Sequence, residues 1–306
     1  MRFTVKKIAP VLGAKITDID LSEPLDKNII SEIRQTWLES GGLIIFPGQS
    51  INTNEHISFS RKFGPLYGDK GEVPLQETVS RYLHPDHPQI YRVSNQIKDG
   101  KPRGRAGAGN YWHSDLSFKP IPAAASILHA IEVPEYGGDT LFCNLTAAYE
   151  ALSEIVKNML APLHAMNDFS HTAVNQFRAD DIVNNDLGNS NRSLHPVVRT
   201  HEETKKKSLF INPGMTTYIE NLHNEESTAL LNLLFSHATK PEFCIRHSYT
   251  KGDVVMWDNR SLMHYAVNDY LDQPRYMERT TNIGAKPILV DVDDDFNIHM
   301  FIFIFS

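Results

Sequence analysis

Tyr111-Trp112-His113-Ser114-Asp115 and, far downstream, Trp257-Asp258-Asn259-Arg260-Ser261-Leu262-Met263-His264 are the stretches on which the reading of this chain turns. On an extended strand a histidine and a carboxylate two positions apart point to the same face. His113-Ser114-Asp115 lies between an aromatic pair and Leu116-Ser117-Phe118, an alternation suited to a half-buried strand. His264 then completes a set of three metal ligands. Two histidines and one carboxylate on one side of an ion leave positions open for other ligands, the arrangement of non-haem Fe(II) oxygenases. A closed structural site of four cysteines and histidines is disfavoured, because the only cysteines are Cys143 and Cys244.

With fourteen histidines in the chain, about one His-x-Asp arises by composition alone. His84-Pro85-Asp86 is that accident, since proline removes a ladder donor and disfavours a central strand. His264 taken singly would be a buried, hydrogen-bonded histidine. Its company changes the reading: Gly252-Asp253 marks a turn, Val254-Val255-Met256-Trp257 a buried strand, and Arg275 and Arg279 follow. Arginine grips carboxylates and sulfonates through a planar fork.

Across nearly its whole length the chain resembles the TauD/TfdA-like (taurine dioxygenase-like) family of Fe(II)- and 2-oxoglutarate-dependent oxygenases. The resemblance is carried, in order, by Gly13-Ala14-Lys15-Ile16 with Asp20-Leu21, Phe63-Gly64-Pro65-Leu66, Trp112-His113-Ser114-Asp115, Gly137-Gly138-Asp139-Thr140-Leu141, Asn212-Pro213-Gly214 with Thr216-Thr217, and Trp257-Asp258-Asn259-Arg260 with His264. It implies that His113, Asp115 and His264 ligate iron. Arg275, helped by the Thr140 hydroxyl, would take the distal carboxylate of 2-oxoglutarate, and Arg279 the anionic group of the substrate. It also implies a mainly β, α+β fold, a double-stranded β-helix (jelly roll) with flanking helices, which many short strands with long insertions accommodate.

The pocket departs from the taurine enzyme. Where that enzyme has a sulfonate-contacting asparagine four residues before the first iron histidine, this chain has Gly109, so taurine is not the expected substrate. Met215 follows Asn212-Pro213-Gly214 where many relatives carry a pocket phenylalanine, and its flexible side chain suits irregular shapes. Phe169 is similar to another pocket aromatic. The segment 68–109 is polar and carries Pro74, Pro85, Pro88 and Pro102. It reads as an active-site lid, with Tyr82, His84, His87 and Tyr91 as substrate contacts.

The resemblance implies oxygenation of a small, anionic substrate at one C–H bond by O2, with 2-oxoglutarate decarboxylated to succinate and CO2. Asp115 favours hydroxylation or desaturation over halogenation, for which related enzymes replace this carboxylate with a small residue. Gly109 and Met215 also leave room for a larger substrate, such as an isocyanide-bearing or aromatic amino-acid derivative of secondary metabolism. Outside the oxygenases stand a non-catalytic metal- or ligand-binding barrel, which would require a broken ligand set, and a zinc hydrolase, for which no His-Glu-x-x-His helix is present.

The 306 residues, 41% hydrophobic, have no linker, repeat or low-complexity tract, so one domain spanning 1–306 is the simpler expectation. A formal charge of −7 argues against a nucleic-acid partner. Two cysteines without a framework and no apolar leader suggest a reducing, cytoplasmic setting. The longest apolar run, Met300 to Phe305, is far short of the roughly 20 residues of a membrane helix. Its uncharged Phe301-Ile302-Phe303-Ile304-Phe305 invites cover from a second subunit, hence a homo-oligomer.

Local patterning predicts helices over Lys27–Ser40, Thr53–Phe63, Ala147–Asn158 and Glu225–His237. Strands are predicted over Phe3–Ile8, Ala14–Asp18, Leu43–Phe46, Ala124–Ile131, Leu141–Asn144, Leu194–Arg199, Leu209–Asn212, Phe243–Arg246, Val254–Asp258 and Arg275–Ile283. Lys205-Lys206-Lys207 reads as a solvated hairpin tip.

Overall fold

A computed structural model describes residues 3–69, 82–170, 191–270 and 272–288. The tail from Met300 to Phe305 therefore lies outside the described residues. Among the described residues there are seventeen strands: β1 Thr4–Lys7, β2 Ala14–Thr17, β3 Leu43–Phe46, β4 Tyr91–Ser94, β5 Ile97–Lys98, β6 Lys101–Pro102, β7 Ala123–Glu132, β8 Thr140–Asn144 and β9 His164–Asp168, then β10 Arg192–Pro196, β11 Val198–Thr200, β12 Lys207–Leu209, β13 Thr216–Ile219, β14 Cys244–His247, β15 Val254–Asp258, β16 Leu262–Ala266 and β17 Tyr276–Ile283. Seven of them form one large sheet in the order β1-β2-β3-β15-β7-β17-β4, and β14-β8-β16 form a second sheet. The fold is thus mixed α and β around a large sheet.

The site lies between these two sheets. One buried cluster joins Leu43, Ile45, Leu128, Ala130, Val255, Trp257 and Met277 of the large sheet to Phe142 and Leu262 of the smaller one. The other face of the large sheet is covered by α1, Lys27–Glu39, and α2, Thr53–Ser60. Asp26 caps α1 by accepting from the backbone N–H of Asn28 and Ile29, satisfying donors the helix itself leaves free. Ile33 and Trp37 are its buried residues, packed with Ile44, Phe46, Ile127, Val254 and Met256 of the sheet. Trp37 Nε1 donates to the Gly42 carbonyl at 2.8 Å, fixing the reversal from α1 into β3. Asn52 caps α2 in a reciprocal capping box with Glu55.

Several boundaries differ from the pattern reading. The helix predicted over Ala147–Asn158 is two, Leu145–Glu150 and Glu154–Leu160, because Ser153 caps the second through the Val156 N–H. The strand predicted over Leu194–Arg199 divides at Val197. β10 pairs with β9 while β11 pairs with β12, and Pro196 has no N–H to carry the ladder through. Lys205, at φ 60°, sits in the turn between β11 and β12, as the hairpin reading requires. Strands β4, β5, β6, β9, β13 and β16 were not predicted.

The segment 68–109 is not one long lid loop. Residues 70–81 lie outside the described residues, but Tyr91–Ser94 is the edge strand of the large sheet, in antiparallel register with β17. Tyr91-Arg92-Val93-Ser94 alternates inward and outward side chains, which is what a sheet edge needs. The β5–β6 hairpin follows it.

Candidate metal centre

Asp115 does not sit on a strand as expected. His113 makes a single antiparallel bridge with His264 on β16, and the chain then turns, with Lys119 N–H donating to the Leu116 carbonyl at 2.9 Å. Leu116 takes a left-handed φ of 56°. Every residue from His113 to Lys119 is buried, so the in-and-out burial of a half-exposed strand is absent. The turn is anchored by side chains: Ser114 Oγ donates to the Leu262 carbonyl at 2.8 Å, and Asp115 N–H to Asn259 Oδ1 at 3.0 Å.

The turn nevertheless brings His113, Asp115 and His264 together, with one potential ligand atom from each lying within 4.8 Å of the others. His113 Nε2 is 3.8 Å from Asp115 Oδ1, and His264 Nε2 is 3.9 Å from Asp115 Oδ2. His113 Nδ1 lies 2.8 Å from the Tyr111 carbonyl. A carbonyl can only accept, so the proton belongs on Nδ1 and the Nε2 lone pair faces Asp115. His264 is walled by Trp257, 4.8 Å between ring centroids, and by the near-parallel Phe142 ring at 6.2 Å. Burial pushes both imidazoles below their ordinary pKa, so both are neutral donors near pH 7. Burial works to raise the Asp115 carboxyl. The Arg279 guanidinium, the two imidazoles and the Ser126 hydroxyl outweigh it and hold the group down at about 2. Two neutral imidazoles and one carboxylate, converging and buried, fit a divalent first-row metal.

The carboxylate is held from behind. Ser126 Oγ donates to Asp115 Oδ2 at 2.6 Å. Asn259 Nδ2 donates to Ser126 Oγ at 2.9 Å, while Asn259 Oδ1 also accepts from Trp257 Nε1 at 3.1 Å. Sequence reading had not singled out Ser126 or Asn259 for this role.

A cavity opens beside the three residues. Its walls include Phe118, Leu128, Phe169 and Trp257, and Thr140, Arg275 and Arg279 reach into it. Arg275 is 4% exposed and donates through Nη2 to the Gly138 carbonyl at 3.3 Å. Its Nε is buried without a hydrogen-bond partner, a costly state that a bound carboxylate would relieve. Thr140 Oγ1 accepts from the Tyr249 hydroxyl at 3.0 Å. Burial pushes the Tyr249 phenol up to about 12, which keeps it a donor. The donor set therefore fits the carboxylate of 2-oxoglutarate.

Arg279 donates through Nη1 to Asp115 Oδ1 at 2.7 Å, and its guanidinium lies 5.0 Å from the Tyr91 ring centroid. The neighbouring Glu278 faces the other way, accepting from Tyr276 and Thr53, as alternation along a strand requires. Phe169 lines the cavity 4.8 Å from Phe118, and Tyr91 lines it too.

Four expected substrate contacts fall outside the cavity wall. Met215 is 3% exposed in the core, its N–H donating to Asn212 Oδ1 at 2.8 Å. Tyr82 and His84 line a separate groove with Arg92, Lys98 and Arg103. His87 leans on His84 at 4.9 Å. Leu83 bridges Tyr91 beside β4, and Tyr82 and Leu83 join the same buried cluster as Tyr91 and Val93, but it is Tyr91 and Val93 that line the cavity. Tyr111, Tyr249 and Arg105 line or close the cavity without having been anticipated. The register of His247 opposite Thr140 is the signal that would have placed Tyr249, and no local pattern carries it.

The profile of the family described as "Taurine catabolism dioxygenase TauD, TfdA family" matches residues 4–281. The alpha-ketoglutarate-dependent 2,4-dichlorophenoxyacetate dioxygenase of Cupriavidus pinatubonensis is 34% identical over 293 residues, covering 92% of this chain and 98% of that protein. A taurine dioxygenase structure from Burkholderia xenovorans superposes with a TM-score of 0.78 at 31% identity, covering 95% of this chain and 92% of the other. The structure of AAD-2 in complex with Mn(II) and N-oxalylglycine has a TM-score of 0.76 at 27% identity, covering 95% and 100%. The chain belongs to the TauD, TfdA family of dioxygenases, which use Fe(II), 2-oxoglutarate and O2.

Proposed function

We propose that this protein hydroxylates, or desaturates, a C–H bond of a small substrate that pairs an apolar body with one anionic group. The observation that carries the reading is the convergence of His113, Asp115 and His264 within 4.8 Å at a cavity that also receives Arg275 and Arg279. When bound, Fe(II) and 2-oxoglutarate supply the O2-dependent oxidising chemistry, with loss of CO2 and formation of succinate.

The chain's own residues prepare that chemistry. His113 presents Nε2 because the Tyr111 carbonyl holds the proton at Nδ1, and Asp115 is kept ionised and aimed by Ser126 and Asn259. Arg275 and Thr140 bind the distal carboxylate of the cosubstrate. Arg279 holds the substrate's anion, and Phe118, Phe169, Leu128 and Trp257 exclude water while positioning its apolar body. Positioning of this kind is a large part of what such an enzyme contributes. An aromatic wall with a guanidinium beside it suits aryloxyalkanoates, alkyl sulfonates or alkyl sulfate esters.

The two sheets support the jelly-roll reading, and the chain is read as a single domain on a cytoplasmic protein with no nucleic-acid partner. Among the described residues no helix is long and apolar enough to cross a membrane. The test is anaerobic addition of Fe(II) and 2-oxoglutarate followed by a substrate screen. A visible metal-to-ligand absorption band and succinate formed with anionic substrates are expected. A colourless mixture that forms no succinate with any of them would overturn the reading.

A further inference from the structure

We propose that Cys143 and Cys244 form a reversible disulfide site on the sheet that carries Thr140 and His264. They are the only cysteines of the chain, and the antiparallel register sets Cys244 directly opposite Cys143 on β14 and β8. Directly opposed residues have Cα atoms about 4.5–5.5 Å apart, inside the roughly 4.4–6.8 Å window of a disulfide. Each thiol shifts the ionisation of the other, as close neighbours do. The Cys143 thiol donates to the Ala238 carbonyl at 2.8 Å. Both sulfurs are free thiols; Cys143 is buried and Cys244 partly exposed.

This asymmetry gives the two thiols different parts. The neighbouring Cys244, then burial, pushes the Cys143 thiol up, while Cys143 pulls the Cys244 thiol down. Cys244 is therefore the thiolate-forming, reachable sulfur that meets an oxidant first. With a peroxide, the Cys244 sulfur attacks one oxygen, the O–O bond breaks, and a sulfenic acid and one water result. The Cys143 sulfur then displaces hydroxide from that sulfenic acid, its proton leaving with the hydroxide as a second water. Two thiols lose two electrons and one peroxide gains them. A small-molecule disulfide oxidises the pair equally, by thiol exchange through a mixed disulfide on Cys244.

The bond would form close to the site. Met263 is opposite Cys143 and His264 opposite Phe142, while on the other side His247 is opposite Thr140. The Tyr249 hydroxyl, two residues beyond β14, holds Thr140. Drawing two sulfurs from contact to bond length repacks the side chains around β14 and β8, and a close-packed interior passes such shifts on. The cosubstrate end of the cavity is the part exposed to that shift, a coupling that rests on the cosubstrate role proposed for Thr140 and Arg275.

The test equilibrates the full chain in glutathione buffers of rising disulfide content, followed by peptide mapping without reduction and by intact mass. A Cys143–Cys244 cross-linked peptide, loss of two hydrogens and full reversal by dithiothreitol are expected. Half-saturating 2-oxoglutarate should rise roughly tenfold on oxidation, the lower end of what disturbing a supporting shell does, and Cys244→Ser should show no such rise. Two free thiols at the oxidising end, or oxidation that stops at a Cys244 adduct, would overturn the site. A cross-link with unchanged half-saturation would overturn the coupling. Mapping needs no turnover, so failure of the oxygenase reading would show separately, as a cross-linked protein that consumes no 2-oxoglutarate.

Discussion

His113 and His264 are joined through their backbones, the N–H of His113 donating to the His264 carbonyl at 3.0 Å and the N–H of His264 to the His113 carbonyl at 2.8 Å. The two imidazoles consequently lie side by side, 4.1 Å between ring centroids. Main-chain bonds hold this pair in place whatever side chains it carries. His264→Ala should therefore fold, with the circular dichroism spectrum of the parent, while binding no stoichiometric Fe(II) and forming no succinate. Metal analysis after gel filtration checks it, and a variant that still retains one iron per chain would contradict the ligand assignment.

Ser126 touches the carboxylate and not the cavity. Ser126→Ala removes the hydrogen bond to Asp115 Oδ2 and leaves Asn259 Nδ2 without its acceptor. Loss of such support typically weakens metal binding by about 10–100-fold. Titration with Fe(II) under anaerobic conditions should show that weakening, with the half-saturation for 2-oxoglutarate at saturating iron much less changed.

Gly109 has a φ of 78°, and a Cβ there would stand 2.8 Å from His113 Cε1. Gly109→Ala should displace the first histidine and cost roughly 1 kcal/mol or more from backbone strain alone. Gly109→Asn, which restores the residue type of the taurine enzyme, should likewise lower iron affinity and not confer taurine turnover. A taurine-active Gly109→Asn protein would show that the backbone here accommodates the side chain.

Arg279 should act on substrate more than on cosubstrate. Arg279→Met is expected to raise KM for anionic substrates and lower kcat/KM by roughly 100-fold or more, since a charge-assisted contact is lost. The KM for 2-oxoglutarate should move little. A variant with both KM values raised alike would assign Arg279 to the site as a whole.

Burial, reinforced by the neighbouring His129 and opposed by the hydrogen bond to the Ile127 carbonyl, lowers His56 from 6.5 to about 3. The folded protein holds this imidazole neutral. Above pH 6.5 neither state binds the proton and the contribution to stability is complete. As pH falls towards 3 the unfolded chain takes up a proton that the folded one refuses, so stability declines. Urea denaturation between pH 7 and pH 4 should show that decline, with a shallower slope for His56→Gln.

The parts of the site legible in the sequence are those where chemistry restricts the residue type. His113, Asp115 and His264, which converge in the structure, stand out because few side chains bind a metal, whereas Arg275 was named through the family resemblance, since a lone arginine carries no such signal. The Asp115 turn was not legible, because its geometry is imposed from the β15–β16 connection, by Asn259 in the turn and Leu262 at the start of β16. Residues 82–87 were misplaced for a related reason: Leu83 bridges Tyr91 beside β4, and sequence distance from the ligands does not say which of these neighbours reaches the cavity. Helices with clear capping residues, Asp26 for α1 and Asn52 for α2, were located well. The strand Leu262–Ala266, short and directly after β15, offered no pattern separating it from its neighbour.

Arg279 lies on β17 and Arg275 immediately precedes it, whereas two of the three ligand side chains hang from a bridge and a turn of other segments. Selection can thus remodel what lies around Arg279 and Phe169 while the ion-holding segments stay intact. Different specificities on one scaffold are the outcome such an architecture permits: a new selectivity arises by resurfacing one wall, leaving the oxidising engine untouched.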